Sequence, residues 1–424
     1  MGLQVTFTRI FLLIILFVWI RDAQGQVKVF NVMSYGAVAN GRFDNSKALG
    51  RAWNEACRWK GTGVVRIPRG TYMVHPVKFQ GPCSGRTIFL NQGVVLAPTD
   101  PALIHADNWI AFQEIDGLRV SGGGSFHGQG EKVWHLNDCH KNDNCKLLST
   151  SLSFKHVTNG KIDHITSINS KMFHFNIYDN QKINISRVTI SAPAESPNTD
   201  GIHIGRSNDI RITRSVIRTG DDCISLKQGS RGIYIRNVQC GPGHGISVGS
   251  LGNQEEEEEV RGLTVRNCTF RGSDNGLRIK TWAASTSNIA SDLTFKDIVV
   301  ENVRNPIIVD QQYCPHPPCD EGESKVQIKN VKFRNIRGTS STKVAVSLIC
   351  SRRIPCSNID LHNIDLVYDG QGGPATSSCR HVNGVASGGE VVGVVKHLPR
   401  VYVLYEYVLN RRSLHARTTS AQIH

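Results

Sequence analysis

The chain has 424 residues, 39% hydrophobic and 20% charged, which is ordinary globular composition and excludes a disordered chain. Its formal net charge of +14 points to an anionic partner. No recognition-helix pattern or aromatic RNA-binding motif is present, so nucleic acid is set aside in favour of an acidic polysaccharide.

Residues 1–25 have the form of a secretory signal. Arg9 gives a positive start, Ile10 to Ile20 is an apolar run, and Ala23-Gln24-Gly25 supplies small residues for cleavage before Gln26. The run is short for a membrane span, and no later one is long enough, so no membrane attachment is expected after cleavage. Export makes the 12 cysteines candidates for disulfides. The close pairs are Cys57 with Cys83, Cys139 with Cys145, Cys223 with Cys240, Cys314 with Cys319, and Cys350 with Cys356. Cys268 and Cys379 are left over. No Cys/His grouping has structural zinc spacing, and no metal or cofactor is expected.

Val29-Phe30-Asn31-Val32 reads as a first strand. Asn45 to Trp59 is the one good helix, with Ala48, Leu49, Trp53, Ala56 and Cys57 at helical spacing. Val64 to Val74 and Thr87 to Leu96 read as strands. A unit of the form apolar-x-apolar-x-x-apolar-x-apolar then recurs. It appears as Ile183/Ile185/Val188/Ile190, Ile210/Ile212/Ser215/Ile217, Ile233/Ile235/Val238/Cys240 and Leu263/Val265/Cys268/Phe270. It continues as Leu293/Phe295/Ile298/Val300, Val326/Ile328/Val331/Phe333 and Ile359/Leu361/Ile364/Leu366. Such alternation marks strands with one buried face, and the period is too long for a heptad. The predicted fold is all-β, a right-handed parallel β-helix (a solenoid) whose open end the helix would cap. An antiparallel sandwich is the alternative.

Asn169, Asn184, Asn208, Asn237, Asn267, Asn302, Asn330, Asn358 and Asn363 punctuate the units, where they would stack at turns. Asn184-Ile185-Ser186 and Asn267-Cys268-Thr269 are glycosylation sequons.

The chemistry concentrates between Asn198 and Lys280. The stretch holds Asn198-Thr199-Asp200-Gly201, Gly220-Asp221-Asp222-Cys223, Gly243-His244-Gly245 and Arg278-Ile279-Lys280. Asp200, Asp222 and His244 follow one another at intervals of 22 residues. In a solenoid, residues one period apart form a column with about 4.8 Å per rung. Three carboxylates and an imidazole would gather there. Arg278 and Lys280, alternate residues of one strand, would face the same way. Glycoside hydrolysis needs one protonated carboxyl at the leaving oxygen and one carboxylate for water, and clustering raises one partner's pKa. Each motif alone is common: a turn, a solvated loop, a flexible glycine pair, a surface pair. The four in this order are not.

Together these motifs resemble the signature of the polygalacturonases, glycoside hydrolase family twenty-eight. The resemblance runs from about Val29 to Gly384 and includes Gly128-Gln129-Gly130 and Asn305-Pro306-Ile307-Ile308-Val309-Asp310-Gln311. Ser191 to Pro197 and the flanking residues look most like plant pollen-type exopolygalacturonases. The resemblance implies a right-handed parallel β-helix and inverting hydrolysis of α-1,4-galacturonan, the polygalacturonate of pectin in the plant cell wall; with the signal and the sequons, a secreted, glycosylated, monomeric enzyme is expected. It implies Asp221 as general acid, Asp200 and Asp222 on the attacking water, and His244 as their helper. Arg278, Lys280, Tyr313 and Asn198 would bind substrate.

The sequence departs from the family pattern in three places. His127 replaces a usual Asp, Glu255 to Glu259 form an acidic run, and the resemblance ends after about Ser387. The domain reading is therefore signal peptide 1–25, catalytic β-helix 26–387 and divergent tail 388–424, with Cys379 lacking the late cysteine that family members supply. Competing readings are an endo-acting polygalacturonase, a catalytically silent wall-binding protein, and a calcium-dependent pectate lyase.

Overall fold

The described residues of the computed structural model are 26–138, 142, 145–315, 317–319, 321–388, and, by backbone alone, 394–398 and 401–405. The signal-like residues 1–25 and Cys139 lie outside them.

The alternating apolar pattern yields short strands, and nearly all pair in parallel. One ladder starts with Val27–Asn31, Thr62–Ile67 and Thr87–Asn91. It passes through Lys161–Asp163, Gln181–Ser186, Asn208–Thr213 and Arg231–Arg236. A second links Asn40–Asp44, Thr71–Met73, Val94–Leu96 and Ser125–His127, and later Thr189–Ser191, Val216–Arg218 and Gln239–Cys240. Both join in the long strand Asn288–Val303. A third, 11-stranded ladder runs from Val77–Gln80 to Thr376–Arg380. Parallel neighbours need a long connection, and here the strands of the other ladders supply it. The sandwich alternative is excluded by this pairing.

Register makes the core. Ile110, Leu152, Phe175, Ile202, Ile224, Ile246, Leu277 and Ile307 face one another on successive rungs. All eight are fully buried, each contributing about 1.5–3 kcal/mol. Stacked rings extend the column, Phe112 on Phe154 and Phe295 on Phe333, with centroids 5.3 and 5.0 Å apart.

The expected helix forms at Ser46–Arg58, flanked by Asn45 and Trp59. It buries Ala48, Leu49, Ala52, Trp53, Ala56 and Cys57, and the Trp53 ring lies 5.1 Å from Phe79. The Cys57–Cys83 disulfide ties its last turn to the next coil.

Some boundaries differ from the sequence reading. The stretch 64–74 divides at Gly70, and 87–96 divides after Asn91, because each turns a corner between ladders. Asn91 builds the second corner, accepting from Gly93 N and donating to Ser125 O. The sixth repeat begins at Val331, five residues beyond the Val326 that the alternation predicts. Leu293 pairs with Val331 and Phe295 with Phe333, whereas Val326 and Ile328 pair with Asn288 and Ala290. The unit is self-similar at that offset, so alternation alone does not fix its phase.

Asn237, Asn267, Asn302, Asn330, Asn358 and Asn363 have left-handed backbones with φ of 53–57°, the first two at bends and the other four at kinks inside the long strands Asn288–Val303, Val326–Ser340 and Cys356–Tyr368. They stack as expected: Asn267 donates to Asn237, Asn358 to Asn330 and Asn363 to Asn335. Asn184 and Asn208 lie in the strands Gln181–Ser186 and Asn208–Thr213 without a left-handed backbone. Both sequon asparagines, Asn184 and Asn267, are exposed.

Cys223–Cys240, Cys314–Cys319 and Cys350–Cys356 form as expected, Cys145 is disulfide-bonded, and Cys268 and Cys379 are free. In the tail, Val394–Leu398 and Val401–Tyr405 pair antiparallel. Among the described residues no helix is long and apolar enough to cross a membrane.

Candidate active site

The 22-residue interval is a structural period. Ile202 pairs with Ile224 and Ile224 with Ile246, so Asp200, Asp222 and His244 each precede equivalent rungs by two residues. Gly201 N donates to Asp222 O and Cys223 N to Gly245 O, both at 2.8 Å, which locks the approach. Gly245 has φ +75°, and a Cβ there would lie 2.2 Å from Asn275 O, so only glycine lets the backbones close. Downstream, the inward Ile224 and Leu226 alternate with the outward Ser225. The same outward column holds His203, Ser247 and Arg278.

Asp222 is the electrostatic centre. Its Oδ1 accepts from Ser247 Oγ and Arg278 Nη2, both at 2.6 Å, and its Oδ2 from Lys280 Nζ at 3.0 Å. Burial would raise its pKa, but the charges of Lys280 and Arg278 outweigh that and hold it well below the usual carboxylate range. Asp200 is the opposite case. Burial, and then the negative charge of Asp221, push its carboxyl up. Its Oδ2 accepts from Ser225 Oγ at 2.7 Å and lies 3.3 Å from His203 Nδ1. Two neighbouring carboxyls are thus driven apart in proton affinity.

Asp221 is the accessible member, with its side chain 21% exposed against 3% for Asp222. Its Oδ1 accepts from the Asp222 amide at 2.7 Å and lies 3.0 Å from His244 Nδ1. Burial works against a charged His244, yet the Asp221 hydrogen bond and charge raise its pKa above the ordinary value. The other ring nitrogen is 3.7 Å from Asp274.

Lys280 Nζ also sits 5.1 Å from the Tyr313 ring centre, and Tyr313 packs edge-on against Trp282 at 5.3 Å. Tyr313 therefore belongs to the cluster. Asn198 is exposed two residues before Asp200, and its Oδ1 accepts from Asn137 at 3.0 Å and not from a member of the cluster. Ser225, Ser247, His203 and Asp274 were not singled out from sequence. The two serines share the 22-residue phase of the aspartates, a signal that was available. His203, stacked on Phe173 at 4.1 Å, precedes Ser225 by the same 22 residues and shares that signal, whereas Asp274 stands outside it.

Asp221, Asp222 and His244 bring ligand atoms within 4.8 Å of one another, a spacing a metal ion would accept. Arg278 and Lys280 already meet both oxygens of Asp222, so side-chain cations stand where such an ion would neutralise it. A cavity of about 750 Å³, lined by Cys83, Arg86, Asp116 and Arg119, lies elsewhere on the solenoid.

The profile of Glycosyl hydrolases family 28 matches residues 57–388, which include this whole cluster. The chain belongs to that family. It is 48% identical over 376 residues to an exopolygalacturonase of Platanus acerifolia, spanning 88% of this chain and 99% of that one. It is 43% identical to a polygalacturonase of Nicotiana tabacum, spanning 88% of this chain and 93% of that one. Among solved structures, an exopolygalacturonase from Thermotoga maritima aligns with a TM-score of 0.72 at 18% identity, spanning 91% of this chain and 97% of that one. At that identity the likeness concerns the fold.

For this family 28 member, the structure places two of the departures noted in the sequence. His127 ends the strand Ser125–His127 and its Nδ1 accepts from Gln129 N at 3.1 Å. In the acidic run, Glu257 accepts from Gly252 N, Asn253 N, Gln254 N and Asn288 Nδ2. Glu258 pairs with Arg206 and Arg231, and Glu259 with Arg231. Those three carboxylates are engaged with the fold.

Proposed function

We propose that this chain is a secreted, monomeric polygalacturonase that hydrolyses α-1,4-galacturonosyl linkages of polygalacturonate (pectin) in the plant cell wall, working from a chain end. The observation that carries the reading is the division of the carboxyl groups. Asp222 is held ionised by two cations, Asp200 is pushed toward its protonated form, and Asp221 lies partly exposed beside them. Relatives at 48% and 46% identity named exopolygalacturonase support end-cleavage.

In this reading Asp221 protonates the departing glycosidic oxygen. Asp222 takes a proton from the attacking water, and Asp200 helps to orient that water. With water entering opposite the leaving group, the anomeric configuration inverts. His244 tunes Asp221 through its hydrogen bond. Arg278, Lys280 and Tyr313 hold a substrate carboxylate, and Asn198 contacts sugar. The β-helix is right-handed, and the helix Ser46–Arg58 closes its first coil. Residues 1–25 direct export, 26–387 form the catalytic unit, and 388–424 are an appended tail. Asn184 and Asn267 carry glycans.

The test is product analysis on polygalacturonate. Release of galacturonate monomer from the earliest times, with viscosity falling late, supports end-cleavage. An early viscosity drop with mixed oligomers means internal cleavage. An unsaturated, ultraviolet-absorbing product means elimination.

A further inference from the structure

One cation beside the cluster has no contact partner. Lys227 follows the strand Ile224–Leu226, and its side chain makes no ion pair or hydrogen bond among the described residues. Arg278 and Lys280, by contrast, are both engaged with Asp222. Register places Lys227 accurately. Leu226 pairs with Ile204 below and Val248 above, and Val248 with Ile279. The next residues along these strands are Gly205, Lys227, Gly249 and Lys280, so the two lysines share one outward column. Two rungs separate them, roughly 9.6 Å at the backbone.

Both rungs flanking Lys227 are glycine. A Cβ on Gly249 would lie 2.1 Å from Lys280 O, and one on Gly205 would lie 3.2 Å from the Tyr178 ring and 3.8 Å from Lys227 Cβ. The lysine therefore stands between two rungs that carry no side chain of their own, with the Tyr178 ring packed against Gly205. Lys227 as a whole residue is half-buried. Burial lowers its pKa, and Lys280 lowers it further, while Asp200, Asp222 and Asp221 act to raise it. Withdrawing a cation from water without a contact partner is costly, and a bound anion would offset that cost.

We infer that Lys227 binds the carboxylate of the galacturonate adjacent to the one held by Arg278 and Lys280. Lys280 is already engaged by Asp222 Oδ2, whereas Lys227 has no such partner among the described residues and is left to a further acidic group. The column is instead matched to acidic groups on neighbouring sugars, so full affinity requires a run of unesterified residues. This inference rests on the polygalacturonase reading.

The test measures KM and kcat on trigalacturonate, at several salt concentrations, for wild type, K227M and K227R. Expected is a rise of about tenfold in KM for K227M, larger than any fall in kcat, with a flatter salt dependence of KM. K227R, which keeps the charge, should bring KM back within about threefold of wild type. An unchanged KM in K227M, or a loss confined to kcat, overturns the assignment. K227Q gives the same neutralisation should K227M fail to fold. A wild-type protein that does not hydrolyse the substrate at all would instead overturn the underlying reading of function.

Discussion

Arg278 Nη2 donates to Asp222 Oδ1 at 2.6 Å across 56 residues of sequence. The contact exists because Ile224, Ile246 and Leu277 stack on consecutive rungs, placing Ser247 between the two charged residues. Arg278 Nε donates to that serine's Oγ at 2.9 Å, so the guanidinium is held at two points.

Arg278→Ala should therefore harm both stability and activity. Breaking a buried pair by removing one partner costs about 3–5 kcal/mol. Lys280 remains on Asp222, so about 3 kcal/mol is expected here, read by denaturant unfolding. Activity should fall by roughly a hundredfold or more, within the range for a misplaced acid–base group. Arg278→Lys keeps the charge but not the forked geometry, and should recover stability better than turnover.

Asp200→Asn should give the opposite sign for stability. The folded pKa of Asp200 is raised, so its favourable contribution is present below its unfolded pKa of about 3.9 and is lost as pH rises through the folded value. At neutral pH its charge is a burden. The asparagine variant should be more stable than wild type at pH 7, on the order of 1 kcal/mol, and much less active. Thermal melts at pH 3.5 and pH 7 test this: the gain should shrink at the lower pH.

The geometry of the site was largely legible in sequence, and its electrostatics were not. The equal intervals between Asp200, Asp222 and His244 announced a shared column because side chains alternate and the coil length there is constant. Where coils lengthen, as between Phe295 and Phe333, the same alternation fits two phases and the sequence reading chose the wrong one. The different fates of Asp200 and Asp222 depend on which carboxylate the Arg278 and Lys280 side chains reach. Motif spacing says nothing of that. Lys227 was invisible for a related reason: only register reveals that it stands in line with Lys280.

His244 should govern the alkaline limb of activity. Its pKa is raised by Asp221, so its ion-pair contribution is complete below the ordinary value near 6.5 and fades as pH rises through the higher folded one. Wild-type melting temperature and kcat/KM should both decline over that window. His244→Gln should flatten the stability profile there while lowering kcat/KM. An identical alkaline limb in the variant would assign the titration to another group.

Removing the Cys223–Cys240 disulfide should weaken the coil that carries Asp222. The bond spans 17 residues and both cysteines are buried. Loop-closure arguments give about 3 kcal/mol for a loop of this size. A Cys223→Ser/Cys240→Ser double variant should lose about that much in unfolding free energy, measured against wild type under non-reducing conditions.

The most direct test is turnover of trigalacturonate and polygalacturonate by wild type and Asp221→Asn, with binding measured in parallel. Wild type should release galacturonate monomer. The variant should bind trigalacturonate with affinity within about threefold of wild type while turnover falls by 10²–10⁴-fold, the contribution expected of a general acid. Undiminished hydrolysis by Asp221→Asn would contradict the assignment of the proton donor.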